Sequence, residues 1–205
     1  AAVFAGLLTK IGVYCLLRTQ TLLFPPDGPS TLLLVIAGLT MVVGVLGAIA
    51  QGDMKRILSF HIVSHVGFMV MGVGFASAAG LGGTVFYVVH HIVVMTTLFL
   101  VGGLVEHVGG SSRLSAVGGL VDSAPLVAVV FLIAGLSLAG VPPFSGFVAK
   151  LGLLQSGIAG GHGVIVAVAL VVSLLTLFSM MKVWSAVFWG ERIGEAPTRS
   201  GRAGG

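Results

Sequence analysis

The chain has 205 residues, 57% of them hydrophobic and only 8% charged, with 10 Lys+Arg, 6 Asp+Glu and 6 His set among 32 Gly. A soluble domain carries about a quarter charged residues, so this composition, with a mean hydropathy of +1.15, excludes a soluble enzyme or a nucleic-acid binder and places the chain in a lipid bilayer. The pI near 9.7 comes from scattered cations rather than a basic patch, and the single cysteine, Cys15, excludes an intramolecular disulfide and a cysteine-based metal cluster.

A helix needs about 20 mostly apolar residues to cross a hydrocarbon core. In chain order the sequence predicts spans over 1–17, 31–50, 57–76, 81–105, 124–157 and 163–189. The first starts inside an apolar run, with no initiator Met, basic n-region or cleavage site, and so reads as the clipped end of a longer membrane protein. Connecting turns such as Phe24-Pro25-Pro26-Asp27-Gly28-Pro29 and Gly109-Gly110-Ser111-Ser112 are short and rich in Gly, Pro and Ser. The runs are continuous, without the alternation of barrel strands. The expected fold is therefore an all-α, polytopic transmembrane bundle over 1–190, with six or seven helices and a polar tail over 191–205.

The fifth stretch is too long for one straight span and is interrupted by Gly140-Val141-Pro142-Pro143-Phe144-Ser145-Gly146. It is either a hairpin or one helix broken inside the membrane. Cytoplasmic loops are enriched in Lys and Arg. A single crossing puts Lys55, Arg56, Arg113, Arg192, Arg199 and Arg202 on one side against Arg18 on the other, whereas two crossings leave no bias. The discontinuous helix is the favoured reading, and its freed backbone groups survive at membrane depth only if buried in protein or lining a wet cavity.

Ionisable side chains within apolar runs are the candidate functional residues, because a charge at mid-membrane costs about 2.5 to 3.5 kcal/mol on insertion scales. Lys10 precedes Arg18 by about 12 Å of helix, too deep to snorkel easily; its bland alternative is a structural ion pair. Lys150 follows the Pro-Pro break with nothing local to neutralise it, the alternative being an interfacial snorkel. Lys55 stands in Gly52-Asp53-Met54-Lys55-Arg56, which also reads as an ordinary charged turn. His61 and His65 share a helix face at i, i+4, a spacing that suits a metal, but with no Glu between them zinc is set aside for a proton relay or a hydrogen-bonding role. Of the adjacent His90 and His91, the helical twist allows one to point to a shared interior path and leaves the other for a polar contact. Lys182, beside Trp184 and Trp189, reads as a snorkelling lysine. No Walker motif, dinucleotide fingerprint or nucleophile elbow is present, and no cofactor is expected.

Four ordered motifs carry a resemblance. Gly6-Leu7-Leu8-Thr9-Lys10-Ile11-Gly12-Val13-Tyr14, then Gly52-Asp53-Met54-Lys55-Arg56-Ile57-Leu58-Ser59-Phe60 with Ser64-His65-Val66-Gly67, then His90-His91, then Ala139 to Lys150 resemble the antiporter-like membrane subunits shared by complex I and Mrp antiporters. Within that family, His90 to Val94, Leu98 to Gly103 and Ser179 to Glu191 look most like the D-type members of multisubunit Mrp-type Na+/H+ antiporters.

The resemblance implies inverted repeats, broken helices and a hydrophilic axis through the membrane. It implies proton transfer by Lys10, Lys55, His65, His90 and Lys150; His61 and His91 are further candidates on their placement alone, and no metal is expected. It also implies a multi-pass protein of the cell membrane that partners other antiporter subunits and moves H+ and Na+. A proton-pumping subunit of NADH:quinone oxidoreductase and a non-transporting structural fragment are the alternatives. Two departures stand out: Met95 occupies a position where D-type members usually have lysine, and the acidic partner of the first lysine is expected upstream of residue 1.

Overall fold

The computed structural model describes residues 4–24 and 30–190. A π turn, Phe4–Leu8, leads into α1, Thr9–Leu23. There follow α2, Ser30–Ala50, α3, Met54–Gly74, α4, Ala78–Gly109, the single-turn α5, Leu120–Ser123, α6, Pro125–Ala139, α7, Ser145–Ala159, and α8, Gly163–Val187. Of these, α2, α3, α4 and α8 are long and apolar enough to cross a membrane. Their outer faces carry exposed apolar side chains such as Leu39, Val43, Val93, Leu100, Leu174 and Phe178. The anticipated transmembrane bundle is the observed architecture. The tail over 191–205, with Arg192, Arg199 and Arg202, and the turn over 25–29 lie outside the described residues.

Helix ends follow local chemistry more than the limits of the apolar runs. α1 continues past Arg18 to Leu23, six residues beyond the expected end, because Arg and Gln are good helix formers and it is Phe24, extended at φ −106°, ψ 137° before Pro25, that stops it. α4 is longer than the expected 81–105 because Ser77 caps its start, accepting from the Gly80 N–H, and Gly110 closes it at φ 74°. At 32 residues it extends for about 48 Å. α3 begins at Met54, with Asp53 as its cap.

Asp53 also joins two loops. Its carboxylate accepts from the N–H groups of Lys55 and Arg56 and from the Ser112 hydroxyl, while Met54 N donates to Ser112 O and Leu114 N to Gly52 O, each at 2.9 Å. Partial burial works against its charge, yet the Ser112 hydroxyl, the two backbone donors and the Arg56 charge hold the carboxyl below its ordinary value of 3.8. A group with a lowered folded pKa adds stability that is present above its unfolded value and is lost as pH falls through the folded one. Melting of the full-length protein in detergent should therefore show an acid-side loss that Asp53→Asn removes. Asp53→Ala, which also loses the cap, should cost about 1 kcal/mol at neutral pH. An unchanged acid slope in Asp53→Asn would assign that loss to other groups.

The broken stretch is one crossing. Val121 N, just before α6, donates to Phe188 O past the end of α8. Gly135, in the middle of α6, faces Met180, and Gly157, near the end of α7, faces Val166 close to the start of α8. Moving down α8 from 188 to 166 thus traverses first α6 and then α7, so both run in one direction, antiparallel to α8. A hairpin would bring α7 back beside the start of α6. Each half has 15 residues, about 22 Å, too short to span alone. The start of α3, the segment at 110–123 and the end of α8 share one end of the bundle, so α8 finishes on the side of Lys55, Arg56 and Arg113, as the single-crossing tally requires.

Two apolar clusters pack this arrangement. One joins Met54, Leu58, Leu98, Val105, Phe131, Trp184 and Phe188; the other joins Met41, Phe68, Met71, Tyr87, Leu153 and Val172. Between them, at the level of the break, lies a layer of buried polar groups.

Candidate functional site

The layer forms where α3, α4, α6, α7 and α8 meet. On α3, His61 and His65 are fully buried at i, i+4, with ring centroids 6.1 Å apart. On α4, His91 is also fully buried and lies 5.1 Å from His65. Tyr87, one turn before His91, shares a 2.5 Å hydrogen bond with His65 Nδ1 and meets the edge of His90 at 5.9 Å. His90 turns toward the break, its Nδ1 hydrogen-bonded to the Ser145 hydroxyl at 2.9 Å, and Ser145 lies 3.4 Å from Ser137 on α6. His61 Nε2 is bonded to Ser179 of α8 at 2.9 Å. Thus His90 takes the polar contact expected of one member of the pair, but both rings lie in the layer: Tyr87 contacts both, and His91 faces the other histidines.

Lys150 enters this layer from α7. Its Nζ donates to the Ala139 carbonyl at 2.8 Å and lies 4.9 Å from the centre of the Phe68 ring, a cation–π contact. The last carbonyls of a helix lack intrahelical partners. Here Leu136 O and Ser137 O accept from Gly140 N, Leu136 O also accepts from Val141 N, and the ammonium serves Ala139 O. Gly140, at φ +87°, supplies the left-handed turn, and the stem of Lys150 lies against the face where a Cβ would project.

The other lysines are placed differently. Lys10 is buried at 3% exposure in the first turn of α1, donating to the Thr9 hydroxyl at 2.9 Å, and its charge is within electrostatic reach of His91. Lys55 is apart from the layer, ion-paired with Glu106 of α4 at the cation-rich end, with 41% and 44% of the two side chains exposed. Lys182 does not reach for the headgroups: its Nζ donates to Ile49 O and Gln51 O, both at 2.8 Å, capping the end of α2. Met95 is fully buried in the apolar cluster with Leu58 and Leu98, so this position belongs to the apolar core.

Sequence reasoning passes over Tyr87, Ser137 and Ser179. Tyr87 is within its reach, standing three and four residues before His90 and His91 and hence on their face of the helix. Ser179 and Ser137 carry no such signal, since each finds its partner only when separate helices meet.

His61 Nδ1, His65 Nε2, His90 Nε2 and both nitrogens of His91 are buried without a hydrogen-bond partner among the described residues. A buried polar atom normally has a partner, protein or water, and a neutral imidazole can both donate and accept a proton. Among the described residues no group of three or more His, Cys, Asp or Glu is placed to hold a metal ion.

Known proteins share this fold. The chain is 49% identical, over 94% of its own length and 39% of the relative's, to the D component of the Na(+)/H(+) antiporter of Alkalihalophilus pseudofirmus. It superposes on a chain of the Mrp complex from Dietzia sp. DQ12-45-1b with a TM-score of 0.89 and 42% identity, covering 93% of this chain and 36% of that one. Respiratory complex I from Thermus thermophilus with bound NADH gives a TM-score of 0.83 at 27% identity, covering 89% of this chain and 39% of that one. The chain therefore spans about two fifths of the length of the proteins it matches. Since residues 1–176, which hold the π turn, the histidine layer and the broken helix, match the NADH:quinone oxidoreductase/Mrp antiporter transmembrane family, the chain belongs to that family.

Proposed function

We propose that this chain is part of a D-type component of a multisubunit Na+/H+ antiporter of the cell membrane and moves protons through its histidine layer. The observation that carries the reading is His91, fully buried within reach of the Lys10 and Lys150 charges, 5.1 Å from His65, with both ring nitrogens unpartnered among the described residues. Protons pass between Lys10 and Lys150 by way of His91, His65 with Tyr87, and His90 with Ser145, while His61 and Ser179 form a branch toward α8. Lys55 and Glu106, exposed at the cation-rich end, form a mouth where protons meet water, about 9 Å of helix from His61. The other antiporter subunits and the exchanged Na+ complete the assembly. A proton-pumping subunit of NADH:quinone oxidoreductase is the second reading, favoured by the likeness to complex I. The higher identity to the antiporter relative supports the first.

His91→Phe tests the relay. The ring keeps its size, and no hydrogen bond among the described residues is lost, so a merely structural histidine would tolerate the change. Proton movement by the full-length complex, read with a pH-sensitive dye in everted vesicles, should fall about a hundredfold, the scale of losing one proton-transfer group. Wild-type proton movement from an assembled His91→Phe complex would end the proposal.

A further inference from the structure

We propose that the break between α6 and α7 is a monovalent alkali-cation site, in which a dehydrated Na+ takes the place of the Lys150 ammonium on the Ala139 carbonyl. This deepens the antiporter reading and rests on it for the identity of the ion. Lys150 already shows what the site holds: one buried positive charge on a carbonyl at the negative end of a helix. That carbonyl is not consumed by the cap, because the N–H groups of Gly140 and Val141 go to Leu136 and Ser137. Two further neutral oxygens border the break, the Ser137 and Ser145 hydroxyls. Carbonyl and hydroxyl oxygens are hard ligands, suited to alkali ions rather than to soft metals.

The charge balance selects the valence. The acidic side chains of the described residues, Asp53, Glu106 and Asp122, stand in or beside the loops at the cation-rich end, away from the break. A site of neutral dipoles that is occupied by one ammonium can exchange it for one monovalent ion with no change of local charge. A divalent ion would add an uncompensated charge in a dry interior.

A second feature points to the same exchange. His90 is buried at 6% exposure, with its Nδ1 on Ser145 and its Nε2 unpartnered among the described residues, beside Gly146 at the mouth of the break. When Na+ arrives, one Nζ–H bond of Lys150 breaks and an N–H bond forms on an imidazole of the layer. The neutral amine leaves Ala139 to the metal ion, and the proton passes outward along the histidines. The titratable groups facing Lys150 are His61 and His65 of α3 and His90 and His91 of α4, whereas α6 supplies no titratable side chain. Binding of Na+ and protonation of Lys150 are then mutually exclusive.

Equilibrium binding of radioactive Na+ to the purified full-length complex, over a pH series, tests this without depending on turnover. In the wild type, Na+ affinity should fall as pH is lowered, approaching about tenfold per pH unit, the slope for one competing proton. Lys150→Met should flatten that dependence and tighten Na+ binding at low pH, although it stops transport. Ser137→Ala should weaken binding about tenfold through loss of a ligand oxygen. A wild type whose Na+ affinity ignores pH overturns the site, as does a Lys150→Met complex that keeps the full pH slope. Should either variant fail to assemble on a native gel, the wild-type slope and the other variant still decide. Complexes that move protons but never in exchange for Na+ would instead overturn the antiporter reading, whatever the binding shows.

Discussion

Lys10→Ala should abolish ion-coupled proton movement in the full-length complex while leaving its assembly intact. Lys10 is 3% exposed in the first turn of α1, where an ammonium is costly, and the neighbouring positions Leu7, Leu8, Ile11 and Tyr14 face outward. Alanine is the best helix former and removes a charge rather than a packed ring, so the bundle should tolerate it. The relay should not: His91 would lose the nearby charge on its α1 side, and the transfer step should slow by a factor of about 10² to 10⁴. Lys10→Arg should fail as well, because a guanidinium keeps its proton across the accessible range. Dye fluorescence in everted vesicles gives the rate, and a native gel gives the complex content. Antiport at the wild-type rate from an assembled Lys10→Ala complex would remove Lys10 from the path.

Gly146→Ala should do the opposite, removing the folded protein rather than its turnover. A Cβ on Gly146 would sit 1.7 Å from Ser137 O, 2.8 Å from Ser137 C and 3.0 Å from His90 Nε2. The first two are backbone atoms in the last turn of α6, which cannot yield without pulling α6 away from α7. Overpacking a core costs about 1 to 3 kcal/mol even when side chains can give, and here they cannot, so the loss should reach or exceed the upper figure. Gly152→Ala is the internal control: among the described residues nothing lies within 4 Å of where a Cβ would sit, and alanine should gain up to about 1 kcal/mol in helix propensity. Melting in detergent and the yield of assembled complex separate the two. A Gly146→Ala protein as stable as the Gly152→Ala protein would contradict the close contact of the half-helices.

The contrast between Lys10 and Gly146 shows what a linear reading can reach. Lys10, Lys150 and the histidine pairs are conspicuous because charge and imidazole are rare in apolar runs, and the break is conspicuous because Pro142-Pro143 cannot continue a helix. The single crossing is also legible, through the distribution of Lys and Arg. Lys55 reads as part of the path by resemblance, whereas its partner Glu106, 51 residues away, can be found only once α3 and α4 lie side by side. Lys182 reads as a snorkelling lysine because Trp184 and Trp189 stand near it, and its carbonyl partners are more than 130 residues earlier in the chain. Gly146 looks like any of 32 glycines; the 1.7 Å contact belongs to the meeting of two half-helices and leaves no trace in composition.

The cap that Lys182 places on α2 also imposes a timetable on biogenesis. Ile49 and Gln51 leave the ribosome 133 and 131 residues ahead of the lysine that serves their carbonyls. At roughly 5 to 20 residues per second, these groups wait about 7 to 27 seconds for their permanent donor. During that interval the α2–α3 hairpin must keep this end at the aqueous boundary, where water can hold the two oxygens. Only when α8 docks can the end be sealed, so the last described helix acts as the latch of a hairpin inserted long before it.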